Sequence, residues 1–361
     1  MGAFAFIIHP IDPKRDVSRK YPFLGKVLPE EAIHFLSRFW PPVYLSHITG
    51  ARSEATGKEI EGWLIAVPYT AQRMLQLPPQ EVYRKIIAAG HLAQKLGANI
   101  LGLGAYTSVV GDGGATIARA LDIPVTTGDS YTAATAAQAT REAAQRMNLD
   151  LSQSTVAVVG ASGAIGGAVA ELLAPQAGQM LLIGRNQGRL VEMRERVVQR
   201  GCSTVTLSDD VLAIRNAEVI ITVTSAGGNL VRPEMLRSGA VVCDVSRPRD
   251  VSLQVTQARR DVLVIDGGLV KVPGAVDFGF NYGLPPDMTF GCIAETMTLC
   301  FEGWQEDYTI GKDLQAEQVT MIDALATRHG FRLGALRSFE KQLDEAIIQD
   351  IKMRAHTGGR E

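Results

Sequence analysis

Aromatic residues are scarce in this chain, at 6% of 361 residues, and cysteine is scarcer still, with four. Cys202, Cys243, Cys292 and Cys300 include no C-x-x-C pair, which argues against a zinc site. Four cysteines in a chain this long do not make a disulfide scaffold either. The six histidines supply no i, i+4 metal pair. Charge of one sign is also lacking. The 36 Lys and Arg nearly balance the 38 Asp and Glu, so no global basic field exists to hold nucleic acid. Long apolar runs are missing too. The opening MGAFAFIIHPIDPKRD is apolar for only a few residues before Pro10 and Pro13, too short for a signal-peptide core or a membrane span. The expectation is a reduced, cytoplasmic protein without a metal.

Glycine, by contrast, is plentiful, at 36 residues. That suits an α/β enzyme with many tight strand-to-helix turns. Residues 1 to about 128 read as largely irregular, with helical spacing at 80–96 and a buried strand in ANILGLGAYTSVV. The Ala-rich stretch 130–147 predicts a connector helix, with Asp129 or Ser130 as its cap. From Ser154 the pattern changes. Apolar runs at TVAVV, MLLIGR (180–185), STVTL (203–207), AEVIITVTS (217–225), AVVCDVS (240–246) and DVLVIDGG (261–268) alternate with helical stretches such as 187–200. Such runs fit strands buried on both faces of a parallel sheet. Three ranges result: 1–150 with the connector helix, a doubly wound Rossmann domain over 151–272, and a helical segment over 273–361.

The first turn of the Rossmann region reads Gly160-Ala-Ser162-Gly163-Ala164-Ile165-Gly166. Gly160 permits the tight turn, Gly163 lets backbone approach a pyrophosphate, and Gly166 lets helix and strand pack closely. Enzymes that use NAD place a carboxylate at the end of the second strand. Here that position holds Arg185 and Asn186, with Arg189 one helical turn on. A guanidinium there suits a ribose 2′-phosphate, so the expected cofactor is NADPH. Thr222, Thr224 and Ser225, with Gly267 and Gly268, lie at the sheet's carboxyl edge, where ligands bind. Cys243 and Cys300 read as core. Cys292 stands near an expected helix start with Asp287 as cap, where the helix dipole favours a thiolate. A buried structural thiol is the competing reading from chemistry alone.

The whole pattern resembles the long-chain acyl-[acyl-carrier-protein] reductases of cyanobacterial type. DVSRKYP (16–22), ATGKEIEGW (55–63), AGHLAQKLGANILGLGAYTSVV (89–110), TTGDSYTAATA (126–136), GRNQGRL, FGCIAETMTLCFEGW (290–304) and RHGF (328–331) carry the likeness. The resemblance implies that the N- and C-terminal segments build a second α/β domain for the acyl substrate. It also implies that Cys292 is the nucleophile of a two-step reduction. Cys292 would take the acyl group as a thioester, and a hydride from NADPH would release a fatty aldehyde. The donor would be acyl carrier protein or acyl-CoA. Lys14, Arg15, Arg19 and Lys20 form a candidate patch for an acidic carrier, and an aldehyde-deformylating oxygenase a possible further partner. The tail 337–361 has amphipathic spacing (Phe339, Leu343, Ile347, Ile348, Ile351) suited to packing, pairing or at most peripheral membrane contact. Two other readings stay open. DVSRPRDV (244–251) and ITVTSAGG (221–228) are similar to segments of glutamyl-tRNA reductase and shikimate dehydrogenase. A non-catalytic NADPH sensor would keep the Gly loop and Arg185 but be indifferent to Cys292.

Overall fold

The computed structural model describes residues 2–10, 12–226 and 228–357. In chain order the elements are β1 (Gly2–Ile8), α1 (Pro13–Lys20), α2 (Pro22–Val27), α3 (Glu30–Ser37), β2 (Val43–Arg52), β3 (Glu59–Ala66), α4 (Ala71–Gln76), α5 (Pro79–Leu96), β4 (Ile100–Leu103), α6 (Tyr106–Val109), α7 (Ala115–Ala118), β5 (Val125–Thr126) and α8 (Asp129–Arg146). Next come β6 (Thr155–Val159), α9 (Ala164–Leu173), β7 (Gln179–Ile183), α10 (Gln187–Gln199), β8 (Val205–Ser208), β9 (Val219–Thr222), β10 (Val241–Asp244), α11 (Leu253–Ala258), β11 (Leu263–Asp266) and β12 (Leu269–Lys271). Last are β13 (Gly274–Asp277), β14 (Met288–Phe290), α12 (Gly291–Glu302), α13 (Ala316–His329) and α14 (Glu345–His356). No helix among the described residues is long and apolar enough to cross a membrane.

The chain divides into two compact units. One takes the residues through Asp129, with Val270–Lys312 and Ala324–Arg332; the other takes Ser130–Leu269, Asp313–Asp323 and the residues from Leu333 on. These units do not follow the three ranges read from sequence. Helix α8 runs with the second unit from Ser130, and the C-terminal segment is shared between the two.

The first unit is built on a six-stranded sheet in the order β13-β2-β3-β1-β4-β5. Strands β3, β1, β4 and β5 are parallel, and β2 and β13 add an antiparallel edge. This corrects the reading of residues 1–128 as irregular. The β2–β3 pair carries register shifts at Tyr44/Ser46 and Ile48/Ala51, which break the period-2 signal that betrays a strand. Strand β1, GAFAFII, is buried along its middle five residues, so it shows no alternation either. Helix α5 starts with Pro79 in its first turn and stops at Gly97 in the left-handed region, φ 93°. It lays Val82, Ile86, Ala89 and Ala93 on the sheet.

The second unit holds a parallel sheet in the order β11-β10-β9-β6-β7-β8. The order reverses at the β6–β9 pair, the crevice where doubly wound sheets bind ligands. The expected fold class, a doubly wound parallel sheet plus a second α/β unit built from N- and C-terminal segments, is what the chain adopts. The expected helix over the tail is only partly present. Phe339 lies in the turn of a short hairpin at φ 46°, Leu343 precedes the helix, and α14 begins at Glu345. Residues 358–361 of that tail lie outside the described residues.

His329, in the RHGF segment, ties the first unit together. It is 1% exposed, with Nδ1 2.7 Å from Ser53 Oγ and Nε2 2.5 Å from the Glu302 carboxylate. Its ring stacks on Phe301, centroids 5.0 Å apart. Ser53 is itself 2% exposed, so this serine–histidine–glutamate chain is out of a substrate's reach and acts as a brace. Replacing His329 by Ala removes two hydrogen bonds, one of them to buried Ser53, and a stacked ring. We expect His329→Ala to lower unfolding free energy by about 2–4 kcal/mol, read from urea denaturation. An unchanged urea midpoint would contradict the bracing role.

Candidate active site

In the second unit, β6 runs into Gly160, whose φ of 95° belongs to the left-handed region. A Cβ on Gly160 would stand 2.3 Å from the carbonyl oxygen of Val223, and one on Gly166 2.3 Å from that of Gly160. Both glycines are therefore demanded by close backbone packing. At Gly163 the nearest atom to an added Cβ is 3.3 Å away, and the residue is exposed. Gly163 is the N-cap of α9, followed by half-buried Ala164 and Ile165. The first-turn N–H groups of α9 thus face an open space lined by backbone, the arrangement that accepts a pyrophosphate. Ser162 leans towards Gly184, where an added Cβ would lie 2.7 Å from its Oγ. The cradle fits a nicotinamide dinucleotide.

The other residues singled out in this unit fare unevenly. Arg185 is exposed beyond the end of β7 and Arg189 is half-buried in the first turn of α10. Asn186 caps α10, its Oδ1 accepting from Arg189 N at 3.1 Å. Thr224 is held inside the unit: its Oγ1 donates to Asp250 at 2.7 Å, and its N–H donates to Ser246 Oγ at 2.8 Å. Ser225 is exposed beside it. Sequence reading missed the carboxylates that hold this loop. Asp244 accepts from the N–H groups of Ser246 and Val251, each at 3.0 Å, and burial lifts its carboxyl to about 6. The signal was present in DVSRPRDV, where two Asp six residues apart bracket a turn.

In the first unit, Cys292 is the second residue of α12. This helix is almost wholly buried, and it packs on β1 and β4. Gly102 of β4 makes room for it, since a Cβ there would lie 2.1 Å from Thr296 Oγ1. Asp287 is not the helix cap. Residues Met288–Phe290 are extended and Phe290 takes the N-cap position. Of the four cysteines, Cys202, Cys243 and Cys300 are buried, and Cys292 alone keeps partial exposure.

The thiolate expected from the helix dipole is not what the surroundings favour. The residue keeps some exposed surface, but burial of its sulfur pushes the thiol up to about 12. The charges of Asp129 and Glu295 push the same way, against the backbone N–H of Ile293. Asp129 directly follows Gly128, and Gly128 packs against Cys292. With φ 76°, it would carry a Cβ 2.3 Å from both Cα and Cβ of Cys292. Burial and the neighbouring Glu295 raise the Asp129 carboxyl to about 7. Glu295 is fully buried. It accepts from Thr309 Oγ1 at 2.8 Å and from Thr126 Oγ1, the latter at the end of β5. Thr127 Oγ1 is buried, and the Thr127 hydroxyl favours the charged form of the Asp129 carboxyl. Sequence reading took Asp129 only as a possible cap, because nothing local connects it to Cys292, and it passed over Glu295 although that residue stands three positions on from Cys292 in the same helix.

Of the candidate carrier patch, Arg15 and Arg19 each pair with Asp16 at 3.3 Å, and Lys20 donates to the carbonyl oxygen of Leu45 at 2.9 Å. Among the described residues, no group of three or more His, Cys, Asp or Glu is placed to hold a metal ion.

The cradle and the sheet around it define the class: an NAD(P)-dependent oxidoreductase. The Shikimate / quinate 5-dehydrogenase family model matches residues 141–266, within the second unit. The chain is 29% identical over 341 residues to the long-chain acyl-[acyl-carrier-protein] reductase of Synechococcus elongatus, covering 90% of this chain and 96% of that enzyme. It is also 30% identical over 309 residues to the aminotransferase PigE of a Serratia species. That match covers 84% of this chain but spans only 36% of PigE. The acyl-reductase resemblance read from sequence therefore stands, and with it NADPH as the cofactor the cradle fits. Among solved structures, L-tryptophan dehydrogenase from Nostoc punctiforme is 12% identical with a TM-score of 0.41, covering 100% of this chain and 89% of that one. Shikimate 5-dehydrogenase from Listeria monocytogenes is 12% identical with a TM-score of 0.38, covering 90% and 96%.

Gly128→Ala tests the packing at Cys292. A left-handed φ and a backbone clash together should cost about 2–4 kcal/mol of stability. Differential scanning calorimetry reads this as a fall in Tm. A variant as stable as the parent would show that β5 and α12 are not held together through this glycine.

Proposed function

We propose that the protein reduces a long-chain fatty acyl thioester, of acyl carrier protein or of coenzyme A, to the fatty aldehyde. The carrying observation is that Cys292, in the FGCIAE block shared with the acyl reductases, is the one cysteine left partly exposed. Its sulfur attacks the thioester carbonyl, forming an acyl–Cys292 thioester and releasing the donor's thiol. Bound at the Gly160–Gly166 loop, NADPH is the hydride source. After hydride addition the carbon–sulfur bond to Cys292 breaks, the sulfur regains a proton, and the aldehyde leaves. An apolar cleft in the same unit, lined by Val17, Tyr21, Ile33, Trp40, Val43 and Leu45, is suited to the aliphatic chain. On this reading the first unit handles the acyl group.

The choice of NADPH over NADH rests on Arg185, with Arg189 in support, where an NAD enzyme carries a carboxylate. Arg185→Ala should weaken NADPH binding at least about tenfold and leave NADH binding unaltered, as charge-assisted contacts to a phosphate of about 1.5–3 kcal/mol require. Isothermal titration measures both, and equal NADPH affinity in the two proteins would remove Arg185 from the site. Cys292→Ala should abolish aldehyde formation while NADPH still binds. With acyl-CoA or acyl carrier protein but no NADPH, the parent should gain the mass of one acyl chain on Cys292. Aldehyde production by Cys292→Ala would refute the covalent route.

A further inference from the structure

A thiol as reluctant as Cys292 needs somewhere to send its proton at the moment of attack. The groups that face it from each packed element are few. Asp129 stands at the end of the β5 turn, Glu295 lies one helical turn along α12, and Tyr282 feels the charge of Cys292 from the preceding loop. Tyr308 faces Glu295 in turn. None of these is a cation, so a bare thiolate would gather beside two carboxyl groups. Direct transfer of the proton to one of them leaves the local net charge unchanged.

The two carboxyls are not equivalent. Glu295 is fully buried, and one of its oxygens already accepts from Thr309 and Thr126. Asp129 keeps partial exposure and is joined to Gly128, the residue whose backbone touches Cys292. Beside it the Thr127 hydroxyl is buried and favours the charged form of the Asp129 carboxyl. We infer that Asp129 accepts the Cys292 thiol proton during acyl transfer and hands it to the departing thiol. This inference rests on the acyl-thioester reading above and names the base that reading leaves open.

The step balances. The Cys292 S–H bond breaks, its proton goes to the Asp129 carboxylate, and the sulfur forms a bond to the acyl carbon. The carbon–sulfur bond to the donor then breaks, and its sulfur takes the proton from Asp129. The products are acyl–Cys292, a free donor thiol and the Asp129 carboxylate regenerated. No oxidant or reductant is needed. Glu295 keeps its hydrogen bonds from Thr309 and Thr126, and its proximity, with burial, keeps the Asp129 carboxyl proton-hungry. The sign of the pH dependence follows: the working form is the carboxylate, so acylation must quicken as pH rises through the Asp129 titration.

The experiment is thiol release from acyl-CoA in the absence of NADPH, followed by stopped flow from pH 5.5 to 8.5, roughly a unit and a half either side of the about 7 of Asp129. The full chain is used as parent, Asp129→Asn and Asp129→Glu. The parent rate should rise with a midpoint near 7. Asp129→Asn should slow acylation by about a hundredfold or more and lose that limb, and Asp129→Glu should keep it with a displaced midpoint. NADPH affinity, read separately, should be the same in all three. An Asp129→Asn protein that acylates with the parent's profile overturns the inference. So does a parent whose rate is flat across neutrality, a result that stands even if the Asn variant fails to fold. If the parent forms no acyl-enzyme at any pH, the acyl-thioester reading itself has failed, which is a distinguishable outcome.

Discussion

Gly128 brings the carboxyl end of β5 onto the first turn of α12 with no side chain between them. The surroundings of Cys292 depend on that contact. A β-carbon there would sit on the Cα and Cβ of Cys292, so any other residue would drive strand and helix apart. Because they meet, three neighbours in sequence, Thr126, Thr127 and Asp129, arrive beside the cysteine and Glu295 together. The result is a thiol surrounded by acid rather than by positive charge. A helix N-terminus contributes a partial positive charge that decays within a turn. Burial and two carboxyl groups outweigh it here.

The same device, backbone approaching backbone through glycine, builds the nucleotide cradle. Gly160 and Gly166 let β6, α9 and the strand end at Val223 crowd one point. Gly163 contributes something different, an open approach where a phosphate needs to come close. The cradle and the cysteine turn are thus both places where a side chain is excluded so that main chain can meet main chain or ligand. Each costs conformational entropy on folding.

Buried acids mark both units. Around Asp244 and Asp250 they are satisfied by backbone N–H groups and hydroxyls, and they hold the Thr224 loop in shape. Around Cys292, Glu295 accepts from the Thr309 and Thr126 hydroxyls, and the Thr127 hydroxyl favours the charged form of Asp129. A satisfied network of this kind gives rigidity.

The strands and helices of the second unit were legible in the residues themselves. Apolar runs of four or five, broken by glycine and followed by helical spacing, depend only on near neighbours. So Thr155–Val159, Gln179–Ile183 and the Gly160–Gly166 turn could be read directly, and Arg185 located at a strand end. The first sheet was not legible, because bulges in its hairpin scrambled the alternation and β1 is buried on both faces. Cys292 could be singled out by resemblance and by its place in a helix's first turn. Its charge state could not. Asp129 and Cys292 are far apart in the chain, and a sulfur's preference for its proton is set by burial and by charges brought near through space. Sequence by itself determined where a nucleotide can sit and which thiol could react. Only the tertiary structure decided that this thiol is held neutral, because only folding buries it and brings Gly128 and Asp129 to it.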